Sequence, residues 1–354
     1  MNRLPRLVAT LAAVILAWSP AAARAESAAT SLEHDSIRVT TTEGLSLAAY
    51  VSRPTGSSAP RPALFLTQWV SCGTIKPNPA RTSMEERVAL AAGYALVRVD
   101  RAGTGDSDGP GCDKLDYDTE VRHYREAFDQ LASHPWVDRQ RMVVFGSSLG
   151  STTAPLVALG KPVAGVIVQG AGALTYFERM LHFDRIELER QPVFDPLSLD
   201  REMRRRIEFQ LHYLHGKLTP TEVEQRHPQL AGVWRSLRGT DEEPHYGRPF
   251  AWHWQAADKD WLAAWAQVEA PVMVVFGEYE QFESRHGHRV IVDTINRLRP
   301  GSATWLEIPQ AGHDLGTYAN PYDALSFANR TARPELFVTP VAEWLRTLET
   351  HNRD

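Results

Sequence analysis

The sequence predicts an α/β protein with a mostly parallel central sheet, helices on both faces and a helical insertion. Short, almost continuously apolar segments alternate with segments of helical length, which is typical of a parallel sheet covered on both sides. One stretch, residues 175–266, breaks this alternation with helical patterns and no strand pattern. The chain has 354 residues, of which 43% are hydrophobic and 23% charged, and this composition excludes a disordered or fibrous protein.

The first 25 residues have the pattern of a processing signal. Arg3 and Arg6 precede a short apolar run, and the segment ends at Ala23-Arg24-Ala25. A basic start, an apolar centre and an Ala-x-Ala site are typical of a secretory signal peptide. A retained membrane anchor is the alternative, which the shortness of the apolar run disfavours. We therefore expect a periplasmic or secreted protein, without a stable membrane span once residues 1–25 are removed.

The elements predicted after this signal divide the chain into two parts of one sheet domain, residues 26–174 and 267–354, around a cap at 175–266. In the first part we expect a hairpin (36–42 and 45–53), strands at 61–70, 95–99, 142–145 and 163–168, and helices at 84–92, 117–132 and 149–159. In the cap we expect a helix at 201–214. In the second part we expect strands at 272–276 and 303–308 and helices at 285–298 and 340–348.

The most specific motif is Gly146-Ser147-Ser148-Leu149-Gly150, which fits the pattern G-x-S-x-G with Ser148 at its centre. It directly follows a predicted strand and directly precedes a predicted helix. That strand–turn–helix setting is typical of a nucleophile elbow, which exposes a serine hydroxyl above the sheet. The alternative is an ordinary turn built from small residues. Ser147 is not the nucleophile in this register.

A serine nucleophile needs a base, and the base needs an orienting carboxylate. His313 follows the last predicted strand, where loops of open α/β sheets carry functional residues. The loop after strand 272–276 supplies the carboxylate candidates. We favour Glu280, with Glu283 and then Glu278 as reserves, although an acidic loop can also be solvated surface.

An oxyanion hole requires backbone N–H groups that face the reacting carbonyl oxygen. The residue after the nucleophile, Leu149, supplies one of them. The second is expected from the loop after the first parallel strand, where Trp69 and Val70 are both candidates.

The two cysteines, Cys72 and Cys112, form a disulfide if the protein is exported, since the compartment is oxidising. Two buried free thiols are the alternative. We predict no metal site, because the histidine pairs at His212 with His215 and at His286 with His288 lack further ligands.

The elbow at Ser148, the acidic loop at Glu280 and the Gly312-His313 loop resemble those of the α/β-hydrolase superfamily. The segment from Val99 to Gly109 is also similar to a D-x-x-G-x-G-x-S loop. Serine aminopeptidase-like esterases and peptidases share that loop, as does the group of X-prolyl dipeptidyl peptidases and cocaine esterases. The resemblance implies an α/β-hydrolase fold and hydrolysis of an ester or amide through an acyl-enzyme, without a cofactor. It also implies that a disulfide between Cys72 and Cys112 would join two loops at the active site.

Substrate and partners are less constrained by the sequence. An exported serine carboxylesterase is the leading hypothesis, a serine aminopeptidase or dipeptidyl peptidase the second, and a non-catalytic binding protein the third. Glu187 and Glu189 could bind a free amino terminus, although plain surface charge also explains them. Cap tryptophans could contact an apolar substrate or form the core of the cap, namely Trp234, Trp252, Trp254, Trp261 and Trp265. A net charge of −5 without long basic runs argues against a nucleic-acid partner, and we expect a small ester or peptide instead.

Overall fold

The structure, a computed structural model, describes residues 31–238 and 245–351. The predicted signal peptide, residues 1–25, lies outside them. The described residues form one eight-stranded sheet in the order β1-β2-β4-β3-β5-β6-β7-β8. Its strands are β1 (Leu32–Thr40), β2 (Ser46–Pro54), β3 (Arg61–Thr67), β4 (Ala95–Val99), β5 (Val137–Ser147), β6 (Gly165–Gln169), β7 (Val272–Gly277) and β8 (Ala303–Ile308).

The sheet is parallel from β4 to β8 and antiparallel at one edge. The hairpin of β1 and β2 is antiparallel, and β2 also pairs antiparallel with β4. The remaining neighbours run parallel. The central strands β4, β6 and β7 are buried along their whole length, which explains their unbroken apolar sequences. The predicted α/β class is therefore confirmed.

Helices cover both faces of the sheet. In chain order they are α1 (Met84–Ala92), α2 (Tyr117–Leu131), α3 (Gly150–Ala158), α4 (Tyr176–Glu189), α5 (Pro196–Gln210), α6 (Pro220–Arg226), α7 (Val233–Arg238), α8 (Phe250–Ala257), α9 (Trp261–Gln267), α10 (Arg285–Leu298), α11 (Pro321–Ser326) and α12 (Glu335–His351). One face packs against α2, α3 and α10, and the opposite face against α1 and α12. Among the described residues, no helix combines the length and apolar character needed to cross a bilayer.

Local sequence signals explain the ends of α1. Ser83 and Glu86 form a reciprocal capping box at its start, and Gly93 ends it in the left-handed conformation with φ of 75°. The predicted range of this helix is confirmed.

The predicted start of the last helix at Pro340 is wrong. Helix α12 begins at Glu335 and contains Pro340 inside it. Proline removes a backbone donor and usually marks a first turn. Here the burial of Phe337 and Val341 on one side of the helix supports the turn that precedes the proline.

The long segment between β6 and β7 contains α4 to α9 and no strand among its described residues. The predicted helix at 201–214 corresponds to α5, which starts earlier because Asp195 caps it, and to a π-helical turn, Leu211–His215. Phe209, Trp234 and Trp252 of this segment form a hydrophobic cluster with Tyr117 and Leu149 of the sheet domain.

The two cysteines are joined in a disulfide, with 5.8 Å between the Cα atoms of Cys72 and Cys112. The bond closes a loop across a sequence separation of 40 residues. Closing such a loop reduces the freedom of the unfolded chain.

We predict that replacing both cysteines by serine lowers the free energy of unfolding by about 2–4 kcal/mol. Urea unfolding of the oxidised protein, the reduced protein and the Cys72→Ser/Cys112→Ser variant would measure the change. Reductant should lower the urea midpoint of the protein with both cysteines and leave the midpoint of the variant unchanged. Equal midpoints for all three samples would contradict a stabilising bond.

Candidate active site

The turn from β5 into α3 presents Ser148 with a positive φ of 48°. Such a backbone conformation is uncommon for a residue with a side chain and is typical of a strained turn at a functional site. The flanking glycines are required by close packing. A Cβ atom on Gly150 would lie 2.0 Å from the carbonyl oxygen of Thr67, and one on Gly146 would lie 2.6 Å from the Cα atom of Ser151.

Three predicted side chains form a continuous hydrogen-bonded chain. Ser148 Oγ lies 2.8 Å from His313 Nε2. On the other side of the ring, His313 Nδ1 lies 3.0 and 2.9 Å from the two carboxylate oxygens of Glu280. The residues come from the turn after β5, the loop after β8 and the loop after β7. The three side chains therefore lie in the order that a nucleophile, a base and an orienting acid would require.

Glu280 is the member of the acidic loop that reaches the histidine. Its side chain is only 1% exposed, and it also accepts hydrogen bonds from the N–H groups of Phe282 and Glu283. The two reserve candidates are engaged elsewhere. The Glu283 carboxylate forms a buried ion pair with Arg179, and Glu278 accepts from the N–H of Gln310 at 2.8 Å.

The charges of this pair are mutually stabilising. Burial by itself lowers the pKa of His313, but the negative charge of Glu280 and its hydrogen bond outweigh burial and raise that pKa above its usual value. Burial likewise favours the neutral form of Glu280. The nearby imidazole and the hydrogen bonds that the carboxylate accepts overcome this and lower its pKa.

Two glutamines that the sequence analysis did not identify hold the loop of His313. Gln281 Oε1 accepts from the His313 N–H at 3.0 Å, and Gln169 Nε2 donates to the His313 carbonyl at 2.9 Å. Gln169 is the last residue of β6, and Gln281 lies in the loop after β7. Their place at the carboxyl edge of the sheet was the available signal.

Ser148 and His313 line a cavity of about 600 Å³. Much of its wall is apolar, and the larger apolar side chains are Trp69, Val70, Met84, Phe145, Leu149, Phe183, Ile186, Leu237, Phe282, Leu315 and Phe337. Charged side chains also line it, including Glu85, Arg179, Glu187, Arg190 and Glu283. Such a cavity is typical of a site for a small, largely apolar ligand.

The five tryptophans of residues 175–266 do not line this cavity, and their packing agrees with the alternative role as core residues. Trp234, Trp252, Trp261 and Trp265 are at most 2% exposed and pack in hydrophobic cores. Trp254 packs against Phe250. Large aromatic side chains stabilise a fold most when they are buried, because each removes a large apolar area from water. The sequence pattern alone does not distinguish such a core from a binding surface.

The oxyanion candidates line the same cavity as Ser148. Within the described part of the chain, the N–H groups of Leu149, Trp69 and Val70 donate to no protein acceptor. Free donors beside a nucleophile are what an oxyanion hole requires.

A buried arginine holds the loop that carries two of these donors. Arg101 donates to the carbonyl oxygens of Gln68, Trp69 and Ser71 at distances of 2.9, 2.7 and 2.7 Å. Its Nε donates to Glu120 at 2.6 Å. The sequence analysis noted the Val99–Gly109 loop as a whole, but the contacts of Arg101 became visible only in the structure.

Two buried ion pairs tie the segment between β6 and β7 to the sheet domain. Arg179 of α4 pairs with Glu283, with 2.6 Å between Arg179 Nε and the carboxylate. Arg248 Nη1 lies 3.1 Å from the Glu120 carboxylate, and its Nη2 donates to the Val70 carbonyl. Both pairs contact loops that line the cavity.

Elsewhere, one side-chain N or O atom from each of Glu208, His212 and His227 lies within 4.8 Å of the other two. None of these three described residues lies on the wall of the cavity that holds Ser148.

Solved structures with a similar fold share little sequence with this chain. An esterase of Pyrococcus furiosus superposes with a TM-score of 0.53 at 12% identity, covering 90% of this chain and 91% of that one. A hypothetical protein of Pseudomonas aeruginosa gives 0.51 at 15% identity, covering 90% and 95%. DcsB, solved with a substrate analogue, gives 0.52 at 15% identity, covering 89% and 99%. At these identities the likeness shows the fold.

No curated protein sequence matches the chain. The sequence does match a family described as the alpha/beta hydrolase family over residues 78–326. Because this match spans more than half of the 354 residues and agrees with the fold, the chain belongs to the alpha/beta hydrolase family.

Proposed function

We propose that this protein is an exported serine hydrolase that cleaves carboxylic esters through an acyl-enzyme. The observation that carries the proposal is the hydrogen-bonded chain from Ser148 through His313 to Glu280 at the wall of the cavity. Membership of the alpha/beta hydrolase family supports hydrolysis as the reaction.

In the first half of the reaction, Ser148 Oγ attacks the ester carbonyl carbon while His313 Nε2 accepts the hydroxyl proton. The Glu280 carboxylate keeps the proton on His313 Nδ1 and stabilises the imidazolium that forms. The carbonyl oxygen gains negative charge, which the N–H groups of Leu149 and of Trp69 or Val70 stabilise. Collapse of this intermediate transfers the proton from His313 to the departing alcohol and leaves an acyl group on Ser148.

In the second half, His313 removes a proton from a water molecule that attacks the acyl group. The same N–H groups stabilise the second oxyanion, and Ser148 regains its proton as the acid leaves. Each of these steps uses side chains and backbone groups of this chain.

Residues 175–266 act as a cap in this proposal, between the two parts of the catalytic domain at 26–174 and 267–354. Helix α4 of this segment contributes Phe183, Ile186 and Glu187 to the lining of the cavity. The cap therefore contributes to substrate selection. An apolar wall favours an ester with an apolar acyl or alcohol group.

Export is supported by two independent features. Residues 1–25 have the pattern of a signal peptide. A disulfide joins Cys72 to Cys112, and such bonds persist in oxidising compartments.

A serine exopeptidase is the second candidate, and the position of Glu187 favours it. Glu187 is exposed on the cavity wall, where a carboxylate could bind the amino terminus of a peptide. Glu189, the other residue considered for this role, lies 3.8 Å from Arg185 instead.

We predict that a fluorophosphonate probe labels Ser148. A hydroxyl hydrogen-bonded to the imidazole of a histidine is activated for attack on such a probe. Mass spectrometry of the labelled peptide would locate the adduct. Ser148→Ala should lose labelling and reduce kcat on p-nitrophenyl acyl esters by about 10⁶-fold.

Ser147→Ala is the matched control, because it changes the neighbouring hydroxyl and should keep the label. A folded protein that remains unlabelled, or one labelled equally in both variants, would contradict Ser148 as the nucleophile.

We predict that p-nitrophenyl acyl esters are hydrolysed and that aminoacyl and dipeptidyl anilides are not. An apolar cavity binds the acyl chain without needing a charged amino terminus. The readout is kcat/KM on the two substrate series. Efficient anilide cleavage that Glu187→Gln abolishes would instead establish the exopeptidase, with Glu189→Gln as the control.

We predict that the acid limb of kcat/KM lies above pH 6.5, the usual pKa of histidine. His313 acts as a base only when neutral, so activity falls as the pH drops through its raised pKa. Glu280→Gln removes the negative charge that raises this pKa. It should move the limb to lower pH and reduce kcat by about 10⁴-fold.

Glu278→Gln provides the control for a glutamate of the same loop that does not contact His313, and it should leave the limb in place. An acid limb that stays unchanged in Glu280→Gln would rule out Glu280 as the partner of His313.

A further inference from the structure

We propose that the segment between β6 and β7 holds a binding site for a divalent transition metal such as Zn²⁺, formed by Glu208, His212 and His227. Each residue offers one ligand atom, and these atoms all lie within 4.8 Å of one another. All three residues are half-buried, so the site is both shaped by the protein and open to an ion. This inference does not depend on the proposed esterase activity.

Two of the ligands belong to one continuous helical stretch. Glu208 lies near the end of α5, and His212 lies four residues later in the π-helical turn that continues it. Residues four apart on a helix lie on the same face, which brings the carboxylate beside the imidazole. Irregular turns of this π-helical kind are frequent at functional sites.

The third ligand comes from the end of a different helix. His227 follows α6 and has left the helical conformation, with φ of −131° and ψ of 72°. Its N–H donates to the Val223 carbonyl at 2.8 Å, and its own carbonyl accepts from the Leu230 N–H at 2.8 Å. These bonds fix the backbone on both sides of His227, so the ring is presented from a rigid position.

The two imidazole rings lie face to face. Their centroids are 3.7 Å apart and the planes are inclined by 17°. To bind one ion, both rings must turn out of this stacked arrangement, because each metal–nitrogen bond lies in the plane of its imidazole. Two metal–nitrogen bonds would replace the ring stack, and the ion would then hold the two rings in place.

The donor set selects the kind of ion. Two imidazole nitrogens and one carboxylate oxygen suit Zn²⁺ and its transition-metal neighbours, whereas Mg²⁺ and Ca²⁺ prefer oxygen ligands. A water molecule would supply the fourth ligand of a tetrahedral ion. Gln229 Nε2 donates to the Glu208 carboxylate at 2.8 Å and so orients it, as outer-shell groups do around bound metals.

The pair of His212 and His215, which the sequence analysis set aside for lack of further ligands, does not form this site. His215 is exposed and packs against Phe177, with ring centroids 5.2 Å apart. The partner of His212 is His227, 15 residues along the chain, which only the return of α6 beside α5 makes a neighbour.

A metal here would join the end of α5 to the end of α6. Because none of the three residues lines the cavity at Ser148, the ion would stabilise the segment and take no part in the chemistry. An ion that binds the folded chain and not the unfolded one raises the unfolding midpoint.

The test is direct titration of the full exported chain, purified without a polyhistidine tag and treated with a chelator. Calorimetry with ZnCl₂ and visible absorption with CoCl₂ should both show one equivalent bound. His212→Ala and His227→Ala should each weaken binding by more than about 100-fold, and Gln229→Leu by about tenfold. His215→Ala should bind like the unaltered chain. ZnCl₂ should raise the thermal midpoint of the unaltered chain and leave that of His227→Ala unchanged.

Absence of a stoichiometric ion in the unaltered chain, or equal binding by His227→Ala, would overturn the proposal. So would a loss of binding in His215→Ala as large as in His212→Ala. Circular dichroism without metal checks that each variant is folded. Where an alanine variant is unfolded, His212→Gln or His227→Gln replaces it, since a glutamine keeps a side chain of similar length.

Discussion

The 2.8 Å hydrogen bond between Ser148 and His313 joins residues that lie 165 positions apart in the chain. The contact forms because the strands that precede these two residues run parallel in one sheet. Strands β5, β7 and β8 run in the same direction, so the loops after them emerge at one edge. The turn after β5 carries the serine, the loop after β7 carries Glu280, and the loop after β8 carries the histidine. A reversal of any one of these strands would move its residue to the opposite edge of the sheet.

Two features near this edge depend on the surrounding packing, namely the positive φ of Ser148 and the buried charge of Glu120. The turn that holds Ser148 at a positive φ packs so closely that a side chain at Gly146 or Gly150 would collide with the neighbouring backbone. Burial alone would raise the pKa of Glu120, but the charges of Arg101 and Arg248 lower it. Burying ions has a large desolvation cost, and such a cluster is weak evidence for stability. This cluster of charges links the loop of Trp69 and Val70 with the segment between β6 and β7. Arg101 donates to the Trp69 carbonyl, and Arg248, which belongs to that segment, donates to the Val70 carbonyl.

Much of the fold could be predicted from local patterns, because apolar runs, capping residues and glycines act over a few neighbours. Around α1 these local signals are the capping box of Ser83 with Glu86 and the left-handed Gly93. The start of α12 could not be predicted in this way, since burial of Phe337 outweighed the signal from Pro340. The choice among three nearby glutamates depended on which carboxylate faced His313. The cap tryptophans could have contacted a ligand or one another, and sequence spacing does not separate those cases.

The sequence by itself determined the α/β class and the chemical types available for a site, namely an elbow serine, an acidic loop and a late histidine. These are local properties of short segments and can be recognised without coordinates. Only the tertiary structure decided which groups meet: Glu280 with His313, Arg101 with the loop at Trp69, and His212 with His227. The physical reason is that hydrogen bonds, ion pairs and ring contacts act over a few ångströms, and residues far apart in the chain reach that range only after strands and helices have packed.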